Sequence, residues 1–184
     1  AYHKTMTTEV KVTNPSGSYD IGSYITVTLD TDSITATGAE KKLSSLEKYT
    51  LGTINTSEIT KSGTVVFEVP PIDGVTFSKQ QVTATVEISK DTATKTLSFN
   101  TDTFTFLNVP EKKTAQIQPG KLSIRIRSKS DTIRSLTTDN LKCVVDLSSP
   151  NQDGSYPVIV KSAEGIPYDV IGAYSVNVTL SDAR

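Results

Sequence analysis

A single pattern of apolar residues and turn glycines occurs twice in this chain at a spacing of roughly 90 residues, which restricts the fold to two related β-rich modules. Leu43 and Leu46 are matched by Ile133 and Leu136, Ile54-Asn55 by Val145-Asp146, Gly63 by Gly154, and Gly74-Val75 by Gly165-Ile166. The closing segment Val82–Ile88 is matched by Tyr174–Leu180. What repeats is apolar spacing and turn chemistry, with no reactive side chains in register. The duplication therefore describes a scaffold, and residue chemistry alone does not specify an activity.

Within each copy the dominant period is two. Thr8–Thr13, Tyr24–Leu29, Val65–Val69 and both closing segments alternate apolar with polar residues, and their Thr, Val and Ile content suits a half-buried pleated surface. Turns are predicted at Asn14-Pro15-Ser16-Gly17, Lys61-Ser62-Gly63, Pro70–Gly74, Gln118-Pro119-Gly120 and Asn151–Gly154. Two segments read as helical, Ala39–Lys48 and Ser130–Leu136. In each, an i, i+3 apolar pair lays a turn or two of helix on the sheet. The expected architecture is two tandem, mostly β domains of one fold, 1–91 and 92–184, each with a short helical turn and joined through the polar segment Lys90–Lys95. Strand order stays open, because residues of one segment can cross to complete another's sheet.

These matched positions resemble the YbbR-like domain. In the first half the resemblance is carried by Ile34–Gly38, Leu43 and Leu46, the strand into Ile54-Asn55, Val69-Pro70, Gly74-Val75 and Val82-x-x-x-Val86-x-Ile88. In the second half it is carried by Leu122–Ile126, Ile133–Leu136, Leu141–Ser148, Gly154–Val160 and Val176–Leu180. The first copy departs from the family pattern with Asn55 where Asp is frequent. The resemblance implies an array of small β domains on the extracytoplasmic face of a bacterial plasma membrane, part of a longer membrane-anchored protein. It further implies a regulatory contact with a membrane-bound protein partner, a diadenylate cyclase, and so an influence on cyclic di-AMP synthesis. The family supplies no catalytic residues to carry over. An alternative reading is a structural or adhesive cell-surface protein.

Composition agrees with an interaction module. A net charge of −1 gives no whole-chain field for nucleic acid or anionic lipid, so no nucleic-acid partner is expected, and membrane contact is expected only through an anchor outside this chain. The chain opens at Ala1, which is read as the start of a processed or excised fragment. Its one cysteine, Cys143, permits no intrachain disulfide and sits among valines as a small apolar side chain. His3, the sole histidine, stands at an end expected to fray, so neither a Ser-His-Asp triad nor a histidine metal site is predicted. Asp30 and Asp32 supply too few oxygens for a calcium loop and read as a solvated turn. No catalytic residue, cofactor or metal is assigned.

One local pattern suggests a surface. Lys121, Ser123, Arg125, Arg127 and Lys129 alternate with Leu122, Ile124 and Ile126, predicting a strand with one apolar and one basic face, and Arg134 follows. Every arginine lies in the second half. Lys121, Arg125, Arg127, Lys129 and Arg134 are thus the candidate interaction stripe, suited to an acidic partner surface, a lipid headgroup or an anionic wall polymer. The competing interpretation is a solvated outer face whose charges keep an edge strand from mispairing.

Overall fold

The structure, a computed structural model, describes residues 1–18, 25–118, 120–162 and 165–184. Tyr24 of one expected strand and Pro119 of one expected turn lie outside the described residues. Strands dominate, as the period-two pattern requires. In chain order they are β1 (Tyr2–Thr13), β2 (Gly17–Ser18), β3 (Ile25–Leu29), β4 (Ser33–Gly38), β5 (Lys48–Asn55), β6 (Gly63–Glu68), β7 (Thr76–Phe77) and β8 (Gln81–Ile88). They continue with β9 (Thr92–Asn100), β10 (Thr105–Leu107), β11 (Lys113–Ile117), β12 (Lys121–Lys129), β13 (Lys142–Asp146) and β14 (Tyr156–Lys161). Last come β15 (Asp169–Ile171), β16 (Ser175–Val176) and β17 (Val178–Asp182). Helix α1 covers Glu40–Leu43 and α2 covers Ser130–Ser135.

The chain forms two compact units. Unit 1 holds Ala1–Thr13, Ile25–Ile54 and Lys61–Ser89; unit 2 holds Asn14–Tyr24, Asn55–Thr60 and Lys90–Arg184. The change of unit after Ser89 falls beside the expected joint at Asp91, but two excursions of the N-terminal half group with unit 2. The segment Lys90–Lys95 is also more than a joint, because β9 already begins at Thr92.

Unit 1 contains the sheets β5-β1-β4-β7 and β3-β8-β6. Its core draws on both, with Met6, Ile34 and Ala36 from one and Val82 from the other, closed by Leu43 of α1 and by Leu51 and Val69. Unit 2 contains the paths β10-β13-β14-β16, with β2 added to β14, together with β15-β12-β9 and β11-β17. Leu97, Ile124, Ile126, Leu136, Val145, Val160, Tyr168 and Val170 belong to its core cluster. Each fully buried aliphatic side chain is worth about 1.5–3 kcal/mol.

Four strand pairings of unit 1 have counterparts in unit 2, and where they involve the closing segment they fall at positions the sequence repeat equates. Met6 pairs with Ile34 as Leu97 pairs with Ile124, and Ala36 with Phe77 as Ile126 with Val170. Val65 pairs with Ala84 as Tyr156 with Val176, and Val27 with Val86 as Ile117 with Val178. A one-residue slip in any of these would turn its apolar set outward, so burial fixes the register in both units. Gly74 and Gly165, matched in the repeat, both hold left-handed backbone, with φ of 74° and 68°.

Three differences from the sequence expectation have local causes. Helix α1 stops at Leu43 because Ser44 and Ser45 follow, residues whose hydroxyls compete for backbone groups; Leu46 is half-buried, its N–H donating to the Leu43 carbonyl at 3.0 Å. The second closing segment breaks at Asn177, so that β16 pairs with β14 while β17 pairs with β11; intact β8 serves both roles in unit 1. His3 is not on a frayed end but within β1, opposite Thr37, with Nδ1 2.9 Å from Thr37 Oγ1.

Leu43 is fully buried, so Leu43→Ala is expected to remove about 2–5 kcal/mol of stability. Leu46→Ala, at the half-buried position, is expected to remove less, and urea denaturation midpoints measure both.

Candidate functional site

Strand β12 carries the expected two faces over most of its length. Ile124 and Ile126 point into the unit 2 core, both fully buried, while Lys121, Ser123 and Arg125 are exposed on the opposite side. Across the ladder they face Asn100, Ser98 and Thr96 of β9, all exposed and all neutral. The Arg125 guanidinium reaches Thr94 Oγ1 at 3.4 Å. Over these positions the surface carries two cations among hydroxyl and amide groups, with no carboxylate in the facing pairs.

Arg127 does not belong to that exposed stripe. It has the same strand parity as Arg125, yet it is only 2% exposed. On β15 its direct cross-strand partner is Asp169, which is fully buried and forms a salt bridge with Nη2 of Arg127. The excursion Asn55–Thr60 closes this end of the face. Arg127 Nη1 donates to the Ile59 carbonyl at 2.5 Å, and Nη2 to the Thr56 carbonyl at 3.1 Å. Thr56 Oγ1 donates to Asp169 Oδ1 at 2.8 Å. The other excursion contributes Asn14, whose amide donates to Asp169 and to the Val170 carbonyl, the latter at 2.9 Å. Around this cluster Ser16 Oγ donates to the Gly172 carbonyl at 2.9 Å, and the Gly172 N–H to the Ser57 carbonyl at 2.9 Å.

Desolvating two opposite charges is costly unless their remaining hydrogen-bonding groups are also satisfied; the two excursions supply most of the partners, while Arg127 Nε and Asn14 Oδ1 have none among the described residues. The chemistry of the pair is consumed in fastening four chain segments. The signal available in the sequence was Asp169 within Tyr168-Asp169-Val170-Ile171, a carboxylate in an otherwise apolar strand, which demands a buried cation.

The remaining stripe residues are dispersed. Lys129 is exposed at the far end of β12, beyond buried Arg127, and Arg134 is exposed on α2. Lys121 and Arg125 alone share the open face. Elsewhere, Asp30 Oδ1 accepts from the Thr83 N–H and from Thr31 Oγ1, each at 3.1 Å, so it closes a turn as expected. Among the described residues no group of three or more His, Cys, Asp or Glu converges as metal ligands. Asn55 and Asp146, matched in the repeat, do the same local work. Each side chain accepts from the N–H and the hydroxyl of the serine two positions on, Ser57 or Ser148. Asp146 also accepts from the Asn108 amide; these bonds, Asn108 first and then Ser148, hold its carboxyl below the usual range.

Open clefts occur in both units. One in unit 1, about 480 Å³, is lined by Glu68, Val69, Pro71, Val75, Phe77 and Lys79 among others. In unit 2 one of about 520 Å³ lies against Asp131, Ser135 and Ile166, and one of about 330 Å³ reaches Phe99, Asp139 and Cys143. Cys143 is 3% exposed, and burial pushes its thiol up to about 12.

Comparison with known proteins places these features beside one named group. The chain is similar to a YbbR-like protein. That protein, from Streptococcus pneumoniae TIGR4, is matched over 98% of this chain and 96% of its own, at 16% identity and a TM-score of 0.34. The solution structure of SuR18C from Streptococcus thermophilus matches 48% of this chain and 84% of its own, at 18% identity and a TM-score of 0.39. No family model and no curated protein matches.

Two expectations follow. Asp169→Ala leaves Arg127 buried without its counter-charge and is expected to destabilise unit 2 by about 3–5 kcal/mol in chemical denaturation. Replacing both partners together, Arg127→Met with Asp169→Leu, is expected to recover part of that loss. For Cys143, the thiol is raised above 9.0, so its neutral form contributes stability in full below that pH and loses it as pH rises from 9.0 towards about 12. Native protein at about pH 8 should react with a thiol reagent only after unfolding; fast labelling of the folded chain would contradict the burial.

Proposed function

We propose that this chain is a non-enzymatic, extracytoplasmic interaction module that docks on a membrane-bound protein partner, with a diadenylate cyclase as the partner class, and so modulates cyclic di-AMP synthesis. The observation that carries this reading is the division of labour on β12. Arg127, the most deeply placed cation of the sequence stripe, is spent internally on Asp169, whereas Lys121 and Arg125 stand exposed on a flat sheet face of neutral polar side chains. A flat, cationic, hydroxyl-rich face suits an acidic protein surface, with Arg125 able to make bidentate carboxylate contacts. The buried polar groups of unit 2 hold the scaffold in place, so the open face is the part of β12 left for recognition.

The test is co-purification of the full-length protein with a membrane-embedded diadenylate cyclase, comparing wild type with the Lys121→Glu, Arg125→Glu double variant. Reversing both charges is expected to weaken association at least tenfold, about 1.4 kcal/mol, and added salt is expected to weaken the wild-type contact. Undiminished binding of the double variant at low ionic strength would move the docking surface elsewhere. A wild-type protein that never associates with the cyclase would remove the partner.

A further inference from the structure

Strand β6 is an unprotected sheet edge. Among the described residues it pairs with β8 alone, from Gly63↔Val86 to Glu68↔Gln81, in the path β3-β8-β6. The hydrogen bond from the Val69 N–H to the Gln80 carbonyl, 2.8 Å, sets the phase of this antiparallel ladder. Phe67, Val65 and Gly63 therefore exchange bonds with β8, and the N–H and C=O groups of Thr64, Val66 and Glu68 point the other way, to the open side. The side chain of Val66 is 56% exposed, the most exposed of the large apolar residues among those described.

Several other edges carry familiar protection, although β3 (Ile25–Leu29), at the far side of the same sheet, lacks lysine and proline too and is one residue shorter than β6. β7 has two residues and β15 three, and β9 places Lys95 in its run. The sequence Gly63-Thr-Val-Val-Phe-Glu68 has no lysine, no proline and no bulge, the devices that ordinarily blunt an edge. In unit 2 the strand that the repeat equates with β6 is β14, and it has an antiparallel neighbour on its other side, β13, with Val145 opposite Val158. The corresponding strand of unit 1, β5, pairs with β1 instead, leaving β6 without that neighbour.

We propose that the free edge of β6 pairs with β6 of a second copy of this chain, in an antiparallel dimer centred on Val66. The register is self-complementary. With Val66 opposite its own copy, the outward-facing residues oppose one another throughout: Val66 with Val66, and Thr64 with Glu68 in both directions. That satisfies the open donors and acceptors with roughly six ladder bonds. Glu68 meets a hydroxyl, so no like charges face each other. On the inner face Val65 lies opposite Phe67 of the other copy, extending an apolar surface that is half-buried in one chain. Shifting the register two residues towards Pro70 puts proline, which has no N–H, opposite Thr64. The β3-β8-β6 sheet becomes one continuous six-stranded sheet across the pair.

Sedimentation equilibrium of the full chain tests this. Wild type is expected to show a monomer–dimer equilibrium. Val66→Pro removes an outward N–H while leaving every ladder bond to β8 in place, and is expected to weaken the dimer at least tenfold with unchanged circular dichroism. Should the proline variant unfold, Val66→Lys provides the second test by placing two cations at the symmetry axis. Val66→Cys is expected to give a disulfide-linked dimer on mild oxidation, since Cys143 is buried and does not compete. Wild type that stays monomeric at its highest soluble concentration overturns the proposal, as does a dimer indifferent to Val66→Lys and not cross-linked through Val66→Cys.

Discussion

The pair Arg127–Asp169 is the constraint around which unit 2 is organised. Two opposite charges placed face to face on neighbouring strands and sealed from water are tolerable only if most of their spare hydrogen-bonding groups find partners; here Arg127 Nε alone of the pair's side-chain donors has none among the described residues. Most of the hydrogen-bond partners of the pair's side chains come from outside its own two strands. The chain solves this by sending back two pieces of its N-terminal half, Asn14–Tyr24 and Asn55–Thr60, which bring an amide, a hydroxyl and two carbonyls to the pair. The equivalent register position in unit 1 is Thr37 opposite Thr76, an uncharged pair that asks for no such cover. The two residue differences at this register position thus go with a difference in cover between the two units.

Most of the architecture was legible in the sequence because burial and alternation are tightly coupled in strands. Ile124 and Val86 sit where period two puts them, and the turn glycines Gly74 and Gly165 take left-handed backbone, as turn glycines are free to do. Apolar spacing fixes which face of each strand is buried and so its register, but not the order of strands in the sheets. Helix α1 was overestimated because its charged formers Glu40–Lys42 outweighed Ser44-Ser45 in a reading based on composition.

The interaction stripe was legible only in part. Alternation gives the face on which a side chain lies and says nothing about whether another segment will lie over it. Arg125 and Arg127 are indistinguishable by period, yet one is solvated and the other is shut inside by residues roughly 70 and 110 positions away in sequence, the kind of nonlocal contact a pattern reading does not reach. Asp169 was the missing clue. The edge character of β6 was equally invisible, for it depends on β5 choosing β1 as its neighbour, a matter of sheet order and not of residue type.

The intrusion of Asn14 and of Asn55–Thr60 into unit 2 gives the molecule a history as well as a shape. During synthesis these two pieces leave the ribosome long before Arg127 and Asp169 exist, so they must wait, solvated, while more than half of the polypeptide follows. Unit 2 is consequently sealed last, by its earliest residues, and a ribosome stalled after β14 would expose a guanidinium with nowhere to go.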